Sequence, residues 1–256
     1  MLGTLINVVA VIVGSSIGLL IGNRLTEKIR ESVMTCLGLV TLTIALQNAF
    51  KTGNIVIPLL SLVFGAIIGE LLDLDALLKR FGAWLQERAV GGQPAEDAPE
   101  ARTRFINAFV TSSLVFCVGP LTILGSVQNG LNAGDIQLLL VKSILDFFAS
   151  TAFAASLGVG VAFAAIPVLL LQGAFALVGI ALGGLFAAGS TATNAGLSAD
   201  NPYILEFTAT GGLILIGLAL ILLNLKQPRV ANFLPALLIA PLLVALVRLL
   251  GLQIPV

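Results

Sequence analysis

A chain of 256 residues that is 58% hydrophobic and 10% charged, with a mean hydropathy of +1.08, carries too little polar side chain to cover a soluble domain. Thirteen Lys and Arg balance thirteen Asp and Glu, and His is absent. That argues against a nucleic-acid partner and removes the usual imidazole proton relay and metal ligand, so no metal or other cofactor is expected.

Eight apolar stretches approach the roughly 20 residues that a helix needs to cross hydrocarbon. They lie near 4–22, 33–50, 55–72, 105–125, 137–157, 162–187, 206–225 and 231–250. Runs such as Leu138 to Val141 and Leu213 to Leu223 are continuously apolar, and no period-2 alternation appears, so the expected fold is all-α with about eight transmembrane helices rather than a barrel. The first stretch has no basic flank or small-residue cleavage site and is expected to remain as a span. It holds Asn7 and a ridge of Gly14, Gly18 and Gly22, and the third holds Gly65 and Gly69. Such ridges let backbones approach closely, within the chain or across a homodimer. Cys36 and Cys117 fall inside spans and read as packed thiols.

Between the third and fourth spans, Leu74, Leu77, Leu78, Phe81, Trp84 and Leu85 share a helical face, with Lys79, Arg80, Glu87 and Arg88 mostly opposite. This predicts an amphipathic helix on the cytoplasmic leaflet, followed by a mobile Gly- and Pro-rich linker over 91–100. The fourth span concentrates Asn107, Thr111, Ser112 and Ser113 before Gly119-Pro120, where the missing amide of Pro120 predicts a kink or break. Freed backbone groups at membrane depth are tolerated mainly where they line a cavity. In the fifth span Lys142 and Asp146 stand four apart on one face, with Ser150 and Thr151 nearby. Intramembrane charges mark a solute or ion pathway by default, although such a pair can also simply lock two helices together. Gln172 in the sixth span, like Asn7 in the first, reads as helix glue or as site lining. Glu31 and Glu206 begin the second and seventh spans, either as paired gates or as first-turn carboxylates stabilised by the helix dipole.

With eight crossings, ten basic residues fall on one side and only Lys51 and Arg248 on the other. The positive-inside bias then puts both termini outside the cytoplasm. The chain also reads as a repeat, the alternative being chance matches among membrane helices rich in Gly, Leu and Ala. Asn7, Gly14 and Gly18 recur 165 residues later as Gln172, Gly179 and Gly183; Glu31 and Thr35 recur 175 later as Glu206 and Thr210; Pro58 recurs 177 later as Pro235. At a constant 39 residues, Asn107, Cys117 and Gly119 find Asp146, Ser156 and Gly158. The charge count places the matched spans in opposite senses, so the expected repeat is inverted, one with six, two with seven, three with eight and four with five. This divides the chain into a first three-span repeat (1–72), a cytoplasmic helix and linker (73–104), a central polar pair (105–157) and a second repeat (158–256).

The opening Gly3-Thr4-Leu5-Ile6-Asn7 with Gly14-Ser15-Ser16-Ile17-Gly18, then Gly65-Ala66-Ile67-Ile68-Gly69-Glu70, Gly119-Pro120, Gly125-Ser126 and Lys142-Ser143-Ile144-Leu145-Asp146, with Pro167 and Gln172-Gly173, resembles bacterial inner-membrane proteins of the YqgA and YdfK type. The resemblance covers nearly the whole chain. It implies a multi-pass inner-membrane protein from a domain family of unknown function whose members are described as candidate transport proteins. Residues and resemblance together predict a transporter or channel for a small solute or ion. Its pathway would run by Lys142, Asp146, Asn107, Thr111, Ser112, Gly119, Pro120, Ser150, Thr151, Asn7 and Gln172. The alternative is a structural or regulatory membrane protein; an enzyme is not expected, because no serine has an imidazole base and no catalytic carboxylate pair stands out.

Overall fold

The computed structural model describes residues 1–22, 25–89, 98–131, 135–187 and 201–250. Within them the chain is helical: α1 (Leu2–Gly22), α2 (Glu27–Ala49), α3 (Val56–Leu72), α4 (Leu74–Ala89), α5 (Ala98–Cys117), α6 (Pro120–Leu131), α7 (Gln137–Leu157), α8 (Gly160–Phe163), α9 (Ala165–Ala187), α10 (Pro202–Leu222), a 3-10 turn (Val230–Phe233) and α11 (Ala236–Leu249). Among these residues six helices are long and apolar enough to cross a membrane, and up to eight spans result if each bent helix pair crosses as one. Of the linker expected over 91–100, residues 91–97 lie outside the described residues, and 98–100 already form the first turn of α5.

Helix ends follow local chemistry. Asn201 caps α10, its side chain accepting from the Tyr203 amide at 3.0 Å, and Pro202 occupies the first helical position, where its missing amide does no harm. The helix therefore starts four residues before Glu206, which stands in the second turn rather than the first; Glu31 is likewise displaced by a start at Glu27. Gly158, at φ 97°, separates α7 from α8 in a conformation other residues rarely adopt.

The helices fall into two compact units that interleave along the chain. The first comprises Met1–Leu37, Leu78–Cys117 and Leu121–Thr191. Its closest partnership is α1 with α7. Gly3 faces Leu139, Gly14 faces Phe147 and Ser150, Gly18 faces Thr151 and Ala154, and Gly22 faces Ala155, so the two helices run parallel. A Cβ at Gly14 or Gly18 would collide with the α7 backbone, and the glycines are what allow this approach. Polarity is inverted relative to a soluble helix. Thr4, Asn7, Gly14, Ser15 and Gly18 are buried, whereas Leu5, Val9, Ile12, Val13, Leu20 and Ile21 are exposed. Lipid-facing apolar side chains with small and polar residues between helices are what a bilayer solvent produces. Phe109, Phe116 and Phe153 fill the rest of this core, with Phe116 edge-on to Phe153 at 6.2 Å. The expected amphipathic helix is α4, where Leu85 is buried, Phe81 meets Phe109 at 5.9 Å and Trp84 is half exposed under Arg88.

The second unit comprises Gly38–Leu77, Val118–Pro120 and Ala192–Val256. Here α2 and α10 run antiparallel, with Gly38 against Leu222 and Leu223 and Gly212 against Ala45, Asn48 and Ala49. The α3–α11 pair is antiparallel too: Gly65 meets Ala236 and Gly69 meets Asn232. Asn232 also accepts the Asp75 amide at 2.7 Å, satisfying a donor at the start of α4. The core is aliphatic, built on Ala45, Ile214, Leu218, Ala236 and Val244.

Candidate functional site

Within the first unit, three of the residues singled out by sequence converge. Lys142 donates from Nζ to Asp146 Oδ2 at 2.7 Å, and Asn7 donates from Nδ2 to the same oxygen at 2.9 Å, across 139 residues of chain. Lys142 and Asp146 are each 6% exposed and Asn7 fully buried. One helix supplies both charges because four residues make just over one turn, and the adjacent helix reaches them because Gly3 and Gly14 bring α1 onto α7 above and below. Asn7 Oδ1, Thr4 Oγ1 and Ser15 Oγ, all on the same stripe of α1, are buried without a hydrogen-bond partner among the described residues. Of these, Asn7 Oδ1 belongs to the residue bonded to Asp146, and an unmet polar atom beside a buried ion pair is where water or a polar solute regains a hydrogen bond.

The break expected in the fourth span is present. Helices α5 and α6 bend by 75° across Val118 and Gly119. Pro120 cannot donate to the Phe116 carbonyl, and the buried Thr122 hydroxyl donates to it instead at 3.1 Å. Cys117, the last residue of α5, is a free thiol of intermediate exposure just before the bend. On sequence alone this thiol reads as packing only; its one signal is the place immediately before the Gly119-Pro120 break.

Other predicted residues are less tightly gathered. Ser150 and Thr151 lie one turn beyond Asp146 against Gly14 and Gly18, but both hydroxyls donate to the Phe147 carbonyl of their own helix. Ser112 is buried and spends its hydroxyl on Ala108, Thr111 is buried, and Asn107 is exposed. Gln172 is fully buried on α9, with neither amide atom paired among the described residues. Gly179 is buried against Gly130 of α6, while the surroundings of Gly183 lie outside those described. Glu31 is exposed on α2.

Glu206 belongs to the second unit and has a different environment. Its carboxylate accepts from Thr52 Oγ1 at 2.7 Å, the Gly53 amide at 2.9 Å and the Asn54 amide at 3.1 Å, holding the turn between α2 and α3. It is 1% exposed, and no cation pairs with it among the described residues. No residue pattern points to this cradle, since two of its three donors are backbone groups.

Residues 2–245 match the family described as "Protein of unknown function (DUF554)". The chain is 33% identical over 241 residues to the "Uncharacterized protein YqgA" of Escherichia coli (strain K12), covering 93% of this chain and 94% of that one. It is 26% identical over 257 residues to the "Uncharacterized membrane protein YdfK" of Bacillus subtilis (strain 168), covering 99% and 100%. No solved structure matches it significantly.

Proposed function

Since the chain belongs to the DUF554 family, whose function is unknown and of which one relative is named a membrane protein, we propose that it is a transporter or channel for a small solute or ion, with Asp146, Lys142 and Asn7 on its pathway. The observation that carries this reading is the burial of a complete ion pair inside an apolar helix pair, beside a bent helix and next to unpaired polar atoms. An entering cation would compete with the Lys142 ammonium for Asp146, and an entering anion would compete with Asp146 for Lys142. Either exchange keeps the side chain that binds the solute paired, while the displaced one must reach water or another partner as its charge is released. The proposal needs no cofactor and no nucleic-acid partner.

An inverted repeat gives this pathway a way to alternate its access. Helix limits support it. Shifted by 165, α1 ends where α9 ends; shifted by 175, α2 starts where α10 starts; shifted by 177, α3 ends where α11 ends; shifted by 39, α5 starts where α7 starts. The α2–α10 crossing also fits, because the Gly38–Leu223 contact shifted by 175 falls within one residue of the contact that Gly212 makes with Asn48. In this reading the protein lies in the bacterial inner membrane with both termini outside the cytoplasm, as the ten-to-two basic asymmetry favours.

Tracer flux into proteoliposomes, screened over small anions, cations and amino acids, tests the proposal with wild type beside Asp146→Asn and Lys142→Met. Flux in wild type that is lost in both folded variants is expected. A flux indifferent to both removes the fifth span from the pathway. The Asn7 bond favours one second reading, in which the pair only clamps α1 to α7. In that case no solute moves, and Cys117, in a Cys36→Ser background, resists water-soluble thiol reagents.

A further inference from the structure

The C-terminal ends of α1 and α7 lie side by side, and a cavity of about 290 Å³ opens there against the start of α5. Leu19, Phe105 and Leu157 give it apolar walls, and Arg30 and Arg104 supply two guanidinium groups. Each arginine caps a helix. Arg30 Nη2 donates to the Gly22 carbonyl at 3.3 Å, and Arg104 Nη2 donates to the Ser156 carbonyl at 3.2 Å. Those caps use one N–H of the five on each group. Among the described residues, Arg30 Nε is buried with no hydrogen-bond partner, and the one carboxylate within salt-bridge distance of Arg30, Glu27, is 3.8 Å away with a side chain 87% exposed. Arg104 has no carboxylate within salt-bridge distance among the described residues. The helix ends they cap offset only about half a charge each, so two cations lining one partly apolar cavity still favour a shared counter-charge. Guanidinium forks with free donors match the oxygens of a phosphate, and the apolar walls match whatever that phosphate is attached to.

We propose that this cavity binds a phosphate group through Arg30 and Arg104, presented either by an anionic phospholipid headgroup or by a free phosphate. The site is separate from the Asp146 pair, and the proposal stands whether or not the chain transports anything. Its position at the ends of two spans, on the side where the basic residues gather, suits a headgroup.

Native mass spectrometry of the purified full chain tests it. The chain is titrated with phosphatidylglycerol, with phosphatidylcholine and, in lipid-free detergent, with inorganic phosphate. Wild type should retain phosphatidylglycerol over phosphatidylcholine by about fivefold for each arginine engaged. Arg30→Gln/Arg104→Gln should bring that ratio close to one. Ala101→Trp, at an exposed lining residue that takes part in neither cap, should block the cavity and do the same. Phosphatidylglycerol binding that inorganic phosphate does not reproduce assigns the site to lipid; arginine-dependent binding of inorganic phosphate alone assigns it to a free anion. Equal retention of the two lipids with no phosphate bound, or a preference that survives a folded Ala101→Trp, overturns the proposal. Should the double arginine variant fail to fold, Ala101→Trp decides.

Discussion

Asp146 and Glu206 are both carboxylates shut away from solvent, one in each unit, and they are satisfied in opposite ways. Glu206 is held by two backbone amides and a threonine hydroxyl on a tight turn, donors that cannot leave without unmaking the turn. Asp146 is held by two side chains from two helices, and one of them carries the balancing charge. The first arrangement fixes a loop. The second rests on side chains alone, and under the proposed function it is these that would exchange for a passing ion or solute.

The sharpest way to break this contrast is to remove half of the Asp146 pair. Lys142→Met alone leaves a buried carboxylate uncompensated and should cost about 3 to 5 kcal/mol, read as a large drop in melting temperature in detergent. Lys142→Met with Asp146→Leu should recover most of that stability while leaving flux abolished. If flux returned with the stability, the pair would be a clamp and not a site. Glu206→Ala should come next, at about 2 to 3 kcal/mol, because two amides and a hydroxyl lose their acceptor together. No compensating second substitution should rescue it, since the stranded donors include backbone groups. Glu206→Gln, which keeps one acceptor oxygen, should fall between, and a melting temperature equal to that of wild type in this variant would show that charge plays no part there.

Smaller effects sharpen the picture of how α1 delivers Asn7. Gly18→Leu should force α1 away from Thr151 and Ala154, at about 1 to 3 kcal/mol, and weaken flux through the displaced Asn7. An equal loss of stability without loss of flux would separate the glycine stripe from the site. Smallest is Thr122→Val, which leaves the Phe116 carbonyl unmet at about 1 kcal/mol, while Thr122→Ser should match wild type in a thermal melt.

Much of the membrane architecture was legible because it rests on local rules. Long apolar runs foretold the spans, the period of Leu85 and its neighbours foretold α4, and Gly119-Pro120 foretold the bend. Lys142 and Asp146 were legible as a pair because a helix repeats every 3.6 residues. That Asn7 completes the pair was hidden, since contact over 139 residues depends on which glycine stripe meets which helix. The Glu206 cradle was hidden for a different reason. Backbone amides belong to every residue, so nothing in Gly53 or Asn54 announced that their amides would face a carboxylate 152 positions and more away. Composition makes the linker too long because it does not record that Ala98, Pro99 and Glu100 open a helix, although a proline in the first turn is compatible with one.

The hydroxyl that stands in for the missing amide at the bend turns a covalent defect into a latch. In an unbroken helix the Phe116 carbonyl would be held by a peptide group locked into the backbone; here it is held by a side chain that a single χ1 rotation removes. Such rotations take nanoseconds or less at exposed sites and wait on neighbouring packing when buried, as Thr122 is. The contact across the bend is therefore a side-chain bond, which a rotation can break without unmaking a backbone hydrogen bond of either helix.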